Sequence, residues 1–399
     1  MELTRTIHPI GQGGFYSESF TEKFADGCDY EIFNAVYDCG SETGNDTINK
    51  YLGRYIPNTE PRKSIDVVFI SHLHNDHVNG LDYLLRNANV TYLFLPQMTP
   101  DVIIEAYLYN YIKSGSIHNS ANSCILKLSK DEYENVKTVQ IRELNEEEQL
   151  YKNENDPILI DNDSVLGKQY DSGTVFTITP RILTQEGKCY KWLYIPFNSP
   201  FKSKKGHAIS QDPLFATIID TNGKIDFQLL KEFVKSRPIK DIQDLYSLYF
   251  GNNYHNSYSM TLFSGIEELG VSHCVSKRCN SVFCRCRCYD HTPNFLYTGD
   301  FEPNRKTGRN TFVELMKKRL ESLNLWDTIS GIQVPHHGSR NNFNNELYHY
   351  PCVGYISVGS KNRHGHPNVD TLINIQKNGC SPIIVSEDLS SMQVEVYKI

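Results

Sequence analysis

Apolar residues along the chain fall into short runs separated by polar turns, a pattern typical of a mixed α/β protein. The first forty residues predict strands, with Val36 and Tyr37 in an apolar stretch that ends at a turn of small residues. Residues 66–70 form a continuous β-branched and aromatic run, as expected for a strand buried on both faces. A helix is predicted over residues 80–86 and a strand over residues 90–95. This order indicates layered α/β architecture with polar residues at the strand ends.

The middle of the chain has a looser pattern. We interpret residues 100–250 as an elaboration within one domain that spans residues 1–399. Helices are predicted over residues 101–112 and 227–234. A basic patch over residues 202–205 fits either a solvated loop or a contact with a polyanion.

The second half predicts regular structure again. Strands are expected at residues 259–263, 294–298, 332–334 and 355–358, and a helix at residues 370–377. Three of these strands lead into polar groups able to bind metal or phosphate: Asp300, the sequence PHHGS at 335–339, and a loop ending in His366 and Pro367. Strand ends are therefore where we look for a site.

Composition narrows the class of protein. Of 399 residues, 39% are hydrophobic, which excludes wholesale disorder. With 40 Lys+Arg against 47 Asp+Glu, the net charge of −7 argues against a generally basic nucleic-acid coat, though not against a local basic groove. No apolar run is long enough to span a membrane, and the start lacks a secretory pattern. We expect a cytoplasmic protein whose eleven cysteines are thiols or metal ligands.

The strongest chemical signal is the set His72, His74, Asp76 and His77, which lies directly after the predicted strand at residues 66–70. Imidazole and carboxylate are ligands that zinc and similar metals favour. His72 and His74 can point the same way while the others continue around the turn. The spacing therefore suits two adjacent metals, one for each pair. The alternative is a polar loop, which three of 14 histidines within six residues make a weak explanation.

Two adjacent metals need a bridging anion, and Asp300 at the end of a predicted strand has the right character. One imidazole of the PHHGS sequence would complete the second metal. The other would hold a phosphate oxygen or orient a ligand. The residues alone do not assign the two roles, and we favour His336 over His337 as the ligand.

These residues carry a family resemblance. The sequence SHLHNDHVNG resembles the HxHxDH signature of the metallo-β-lactamase superfamily. Further landmarks occur in the order GQG at 11–13, YDCG at 37–40, NSYS at 256–259, YTGD at 297–300, VPHHGS at 334–339 and SVG through NRHGHP at 357–367. Together they resemble the metallo-β-lactamase domain of competence proteins of the ComEC type. The resemblance implies a four-layer αββα sandwich with inserted segments and metals at one edge between two sheets.

The resemblance also implies roles for individual residues. Catalytic roles fall to Asp76, Asp300, His337 and His366, and metal binding to His72, His74, Asp76, His77, Asp300 and His336. Substrate contacts fall to Asn256, Ser257, Ser339 and Arg363. Many superfamily members have a further histidine for the first metal; here His255 is a candidate beside Asn256 and Ser257. His366 would bind phosphate or protonate the leaving group, with a plain loop histidine as the alternative.

A cysteine-rich segment at residues 270–292 forms a predicted hairpin insertion. Its thiols are Cys274, Cys279, Cys284, Cys286 and Cys288. An extended chain would place the last three thiols on one face and the intervening arginines on the other. The spacing fits either an additional structural zinc site or reduced thiols in a variable loop.

These observations predict a metal-dependent hydrolase, most simply a phosphodiesterase or nuclease acting on DNA or RNA. The cofactors expected are two divalent ions, Zn²⁺ first and Mn²⁺ as the alternative, which would lower the pKa of a bridging water. A nucleic acid or another phosphodiester is the expected partner. Two alternatives stay open: a hydrolase of a small phosphoester or lactone, and a metal-binding regulatory module without turnover.

Overall fold

The computed structural model describes residues 1–57, 60–144, 157–160, 169–178, 182–183, 189–201, 208–251, 258–266, 277–279 and 292–398. Only the backbone is described for residues 182–183, 189–190 and 277–279 and for Asn45 and Lys398. The strands are β1 (Glu2–Ile7), β2 (Gly13–Lys23), β3 (Asp29–Ser41), β4 (Ser64–Phe69), β5 (Asn89–Pro96), β6 (Lys137–Ile141), β7 (Ile158–Ile160), β8 (Gln169–Tyr170), β9 (Phe176–Ile178), β10 (Ile182–Leu183), β11 (Cys189–Tyr190), β12 (Trp192–Asn198), β13 (Met260–Ile266), β14 (Lys277–Cys279), β15 (Phe295–Tyr297), β16 (Lys306–Thr307), β17 (Asn310–Thr311), β18 (Gly331–Gln333), β19 (Val353–Ser357), β20 (Ser381–Val385) and β21 (Gln393–Lys398). The α-helices are α1 (Asn45–Tyr55), α2 (Asn75–Val78), α3 (Leu81–Asn87), α4 (Pro100–Ser114), α5 (Ser120–Ser129), α6 (Phe227–Lys235), α7 (Ile239–Phe250), α8 (Phe312–Ser322) and α9 (Val369–Lys377).

Two large mixed sheets contain most of these strands. The first has nine strands in the order β14-β21-β1-β2-β3-β4-β5-β6-β8, parallel from β3 to β8. The second has eight in the order β20-β19-β18-β15-β13-β12-β9-β7, parallel from β20 to β15. Parallel strands bring their carboxyl ends to one edge, so loops that follow them gather there.

The sheets pack face to face and helices cover their outer faces. A core between the sheets joins side chains such as Phe69 of the first sheet and Tyr194 of the second. A second core lies under α1, α3, α4 and α5 on the first sheet, and a third lies under α8 and α9 on the second. This arrangement confirms the predicted αββα sandwich, because each sheet buries one face on its partner and the other on helices.

Strand β4 shows why a continuous apolar run was the right signal for a strand buried on both faces. Val67 and Phe69 enter the core between the sheets, whereas Val68, which lies between them, enters the core under the helices. Successive side chains of a strand point to opposite faces, so an inner strand of such a sandwich has no polar face.

The middle of the chain contributes strands to both sheets. Within residues 100–250, β6 and β8 extend the first sheet, and β7, β9 and β12 extend the second. Helices α4, α6 and α7 share an apolar cluster of their own. Helices α5 and α7 in this part of the chain, and α2 and α8 outside it, are additions to the elements predicted from the sequence. None of the helices in the described part of the chain is long and apolar enough to cross a lipid bilayer.

Candidate metal centre

The HxHxDH segment begins in the link after β4 and ends within the short helix α2. His72, His74, Asp76 and His77 are all buried. Helix α2 lies directly on β3, where a Cβ at Gly40 would be only 2.5 Å from the backbone nitrogen of His77. A glycine at this position therefore permits an approach that any larger residue would block.

Four buried groups from both sheets converge at this edge. Asp76, His77, Asp300 and His337 each offer an oxygen or nitrogen atom, and these atoms all lie within 4.8 Å of one another. Nε2 of His77 is 3.3 Å from Oδ1 of Asp300 and 3.6 Å from Oδ2 of Asp76. Two carboxylates and two imidazoles at such spacing form a donor set suited to a divalent cation. We call these residues the four-residue cluster.

The structure separates the two histidines of the PHHGS sequence. Nε2 of His337 lies 3.5 Å from Oδ2 of Asp76 and 3.6 Å from Oδ1 of Asp300. Nε2 of His336 is 3.9 Å from the other Asp300 oxygen, and its side chain is 19% exposed. Both residues have positive φ, 46° and 54°, a left-handed turn that directs the neighbouring side chains apart. The geometry thus favours His337 as a ligand, whereas the sequence interpretation preferred His336.

The rings of His72 and His74 lie next to the four-residue cluster. Their centroids are 4.7 Å apart, and the His72 centroid is 4.1 Å from that of His77. The pair predicted to serve one metal is thus adjacent to the pair predicted to serve its neighbour.

Each of these imidazoles has one nitrogen held by a fixed partner. Nδ1 of His77 donates to Asp38 at 2.7 Å, and Nδ1 of His337 donates to the carbonyl of Ser357 at 2.7 Å. The Ser71 hydroxyl donates to Asp38, so it accepts from Nδ1 of His72 at 3.0 Å. These partners fix which nitrogen carries the proton.

His74 is held the other way round, because its Nε2 lies 3.1 Å from both carboxylate oxygens of Glu105. The remaining nitrogens are Nε2 of His72, His77 and His337 and Nδ1 of His74; all are buried, and none finds a hydrogen-bond partner among the described residues. Four buried ring nitrogens without a hydrogen-bond partner are costly unless a cation takes them. The residues present therefore fit the divalent metal that the fold implies.

Charge within the cluster is balanced. Burial alone would raise the pKa of Asp76, but His77 and His337 outweigh it and lower that pKa below its usual range. Burial alone would lower the pKa of His77, but the carboxylates of Asp38, Asp76 and Asp300 raise it. The carboxylate of Asp76 is thus ionised, as a metal ligand must be.

An open cleft of about 420 Å³ leads to the cluster. Asp76 and Asp300 lie on its wall with His336, Ser339 and His366. Burial and nearby imidazoles lower the pKa of His366 to about 4, so this ring is neutral at pH 7. A neutral His366 is better placed to hydrogen-bond a substrate than to donate a proton outright.

A second recess of about 400 Å³ adjoins the cleft. Both are lined by Gln12, Glu42 and His364, and Arg363 lines the second. Arg363 therefore lies beside the cleft, and its contact with substrate stays a prediction.

Several predicted residues fall outside the described part of the chain. These are His255, Asn256, Ser257, Cys274, Cys284, Cys286, Cys288, the side chain of Cys279 and the basic patch at residues 202–205. The third ligand of the first metal and the additional zinc site both depend on them.

The sequence interpretation missed the residues that hold the histidines. No metal-binding spacing in the sequence includes Asp38. Glu105 lies in the predicted helix at residues 101–112, away from the motif. Tyr109, also on α4, stacks on His74 with a centroid distance of 3.7 Å. A carboxylate inside an otherwise apolar helix was the one available signal, because a fully buried acid must have a partner.

Known proteins show several similarities to this chain. The family model of the anti-Pycsar protein Apyc1 matches residues 33–154. Ribonuclease J of Mycoplasma genitalium is 26% identical over 82 residues, which are 20% of this chain and 14% of that relative. The match thus spans a small part of the relative's length.

Three solved structures align with most of the chain at low identity. Unliganded yeast PDE1 is 10% identical with a TM-score of 0.36, over 96% of this chain and 88% of that one. The metallo-β-lactamase fold protein YhfI from Bacillus subtilis is 9% identical with a TM-score of 0.32, over 99% of each chain. MEM-A1, a subclass B3 metallo-β-lactamase from a soil metagenome library, is 9% identical with a TM-score of 0.28, over 86% and 80%.

The layered sheets and the HxHxDH loop at their common edge come from the chain itself. The chain therefore has the metallo-β-lactamase fold.

Proposed function

We propose that this chain is a metal-dependent hydrolase of phosphodiesters, with nucleic acid as the first candidate substrate. The observation that carries the proposal is the four-residue cluster, whose donor atoms lie within 4.8 Å of one another at the wall of an open cleft. Asp76, His77, Asp300 and His337 would hold one divalent ion, and His72 and His74 would contribute to a second. Zinc is the ion we propose first, because the donors are nitrogen and oxygen.

When bound, two such ions would lower the pKa of a water and stabilise negative charge on a transferring phosphoryl group. In hydrolysis the water oxygen bonds to phosphorus, the bond from phosphorus to the leaving oxygen breaks, and the products are a phosphomonoester and an alcohol. Asp300, whose carboxylate lies on the wall of the cleft, would orient that water as well as hold metal. His336 and His366 face the cleft as hydrogen-bond partners for phosphate oxygens.

The surroundings of the cleft support an extended anionic substrate. Lys113 lies on the wall of the cleft, and Arg363 lies in the recess beside it. The two spaces share three lining residues, so a substrate has room beyond its scissile phosphate. Ribonuclease J, which the chain matches over 82 residues, is named as a nuclease of RNA, and this supports RNA among the candidates.

The test is a hydrolysis screen with purified protein, stripped of metal and reloaded with Zn²⁺ or Mn²⁺. The substrates are single-stranded RNA, single- and double-stranded DNA, and bis(p-nitrophenyl) phosphate, with a lactone as comparison. We expect metal-dependent cleavage of a phosphodiester that Asp300→Asn abolishes. No cleavage of any phosphodiester with either metal would refute the proposal, and cleavage of the lactone alone would favour the second enzymatic alternative.

Binding at two salt concentrations separates nucleic acid from a small phosphodiester. Contacts with several phosphates release counterions, so affinity for RNA or DNA should fall steeply as salt rises. Affinity for a ligand with one phosphate should change far less. A shallow dependence for every nucleic acid would point to a small substrate.

A further inference from the structure

The buried carboxylate of Glu105 contacts His74 and is not one of the four-residue cluster. It belongs to α4, in the part of the chain interpreted as an elaboration, and it is fully buried. Its two oxygens are both 3.1 Å from Nε2 of His74. A carboxylate accepts hydrogen bonds only, so this contact requires Nε2 of His74 to carry the proton.

Two tyrosines complete the surroundings of Glu105. Tyr246 of α7 donates to Oε1, and Tyr258, just before β13, donates to Oε2 at 2.9 Å. Burial, reinforced by the charge of Glu105, raises the pKa of both hydroxyls well above its usual range. Both tyrosines therefore remain donors, and each carboxylate oxygen has one fixed tyrosine partner.

The consequence for His74 is a defined tautomer and a defined ring direction. With Nε2 donating to Glu105, the lone pair of His74 is on Nδ1. That atom is buried and accepts no hydrogen bond from any described residue. Tyr109, one turn after Glu105 on α4, stacks on the ring with an interplanar angle of 10°. The ring is thus held at its edge and across its face.

The same helix holds the backbone around His74. The amide of Asn110 donates to the carbonyl of Leu73 at 3.0 Å and accepts from the backbone nitrogen of Asn75 at 2.8 Å. Leu73 directly precedes His74 in the sequence and Asn75 directly follows it. Helix α4 therefore fixes the ring and the peptide groups on either side of it.

We propose that Glu105 is the positioning residue of His74 and that Tyr246 and Tyr258 hold Glu105 in place. Through these contacts the helices of residues 100–250 set the affinity of the metal position served by His72 and His74. The inference rests on the proposed function only in taking this pair as metal ligands. An outer carboxylate that orients a ligating imidazole increases its basicity and reduces the freedom lost on binding.

The informative variants are Glu105→Gln, Tyr246→Phe and Tyr258→Phe. A glutamine has the shape of the glutamate but one acceptor oxygen in place of two, so it cannot accept from both tyrosines and His74 together. Removing a tyrosine hydroxyl keeps the charge of Glu105 and releases one of its oxygens. These two phenylalanine variants preserve the test if Glu105→Gln fails to fold.

Tyr397→Phe is the matched control. Tyr397 is also buried, and its hydroxyl donates to the buried carboxylate of Glu395 at 3.0 Å, in a polar group that contains none of the proposed ligands. The Tyr397→Phe substitution also removes a hydrogen bond from a buried tyrosine hydroxyl to a carboxylate, and it leaves the contacts of His74 intact. The loss of stability common to buried Tyr–Glu pairs is therefore measured separately.

The experiment uses the full chain and zinc alone, with stoichiometry from elemental analysis and affinity from competition with a chromophoric chelator. We expect one of two bound zinc ions to bind about 10- to 100-fold more weakly in the Glu105 and tyrosine variants, with the other unchanged. Tyr397→Phe should retain both affinities. Unchanged zinc affinity in Glu105→Gln and both tyrosine variants, or an equal loss in the control, would overturn the inference.

The outcome is independent of hydrolysis. If the wild type binds two zinc ions and the variants lose one, but no phosphodiester is cleaved, the proposed function fails and the positioning role stands. If the wild type cleaves phosphodiesters and all variants bind zinc as it does, the positioning role fails and the proposed function stands.

Discussion

At the scale of single residues, the site depends on which ring nitrogen of each histidine hydrogen-bonds to a protein partner and which is available to a metal. In His72, His77 and His337 the Nδ1 atom hydrogen-bonds to a protein partner and Nε2 is available to a metal. In His74 the two nitrogens have the opposite roles. The partner decides the assignment in every case: a carboxylate, a backbone carbonyl or a hydroxyl whose own proton is engaged. Such partners are expected to matter almost as much as the ligands.

Asp38 provides the first residue-scale prediction. It accepts from Nδ1 of His77 and from both the backbone nitrogen and the hydroxyl of Ser71. Asp38→Asn keeps the side-chain shape and tolerates the positive φ of 58°, but it presents an amide where an acceptor is needed. We expect about 10- to 100-fold weaker zinc affinity, measured by chelator competition. Asp66→Asn on β4 alters the acceptor for the backbone nitrogen of Asn34 and none of the histidine contacts, so it should leave the zinc affinity as it is.

The two neighbouring histidines of the PHHGS sequence give the second prediction. His337→Ala should weaken zinc binding by about tenfold or more, since this ring joins the four-residue cluster. His336→Ala should affect zinc less and show its effect in KM for a phosphodiester, because its ring faces the cleft. A larger loss of zinc affinity in His336→Ala than in His337→Ala would show that His336 is the ligand.

At the scale of elements, close contacts between backbones place the ligands. Helix α2 has only four residues, too short to be stable by itself, and it is positioned by the strands beneath it. Gly40 on β3 is one of the points where the two backbones meet. The metal centre is thus as sensitive to the packing of α2 as to the identity of its ligands.

Gly40→Ala tests this dependence. The added methyl group would lie 2.5 Å from the His77 nitrogen, so α2 or β3 must shift. We expect a loss of about 1–3 kcal/mol in the free energy of unfolding in urea, together with weaker zinc binding. Gly53→Ala on α1, where the methyl group meets open space, should be neutral or stabilise by up to about 1 kcal/mol. Equal effects of the two substitutions would contradict the close contact.

At the scale of the whole molecule, the site exists because two sheets pack together. Asp76 and His77 follow a strand of the first sheet, and Asp300 and His337 follow strands of the second. The core between the sheets also contains a polar group around Arg5 of β1. Its guanidinium is 2.8 Å from Glu18 and 3.3 Å from Glu395, and Tyr297 of the second sheet lies within hydrogen-bond distance.

Arg5→Met tests how much this polar group contributes to the sandwich. The substitution keeps an apolar stem but leaves the charges of Glu18 and Glu395 buried without their cation. We expect a loss of about 3–5 kcal/mol in the free energy of unfolding, measured in urea. Arg62→Met, at an exposed arginine 3.9 Å from Glu60, should change it by about 0.5 kcal/mol or less. A loss no larger than that of the control would show that burial of the pair contributes little.

The outline of the fold and the central motif were readable in the sequence. Strand β4 was predicted because residues buried on both faces leave a continuous apolar run. The ligand types at His72 to His77 were predicted because they lie within six residues of each other. The family resemblance then supplied the layered sandwich, which the packing of the two sheets confirms.

The close spacing of residue types along the chain therefore determined which side chains could bind a metal. The tertiary structure decided which nitrogen of each imidazole is held by a partner, that His337 and not His336 belongs to the four-residue cluster, and that α4 supplies Glu105 against His74. These facts depend on contacts between residues that are far apart in the sequence, 39 positions for His77 and Asp38 and 261 for His337 and Asp76, and on a left-handed turn at two adjacent histidines. Spacing along a sequence carries no information on such contacts, because the packing of whole elements creates them.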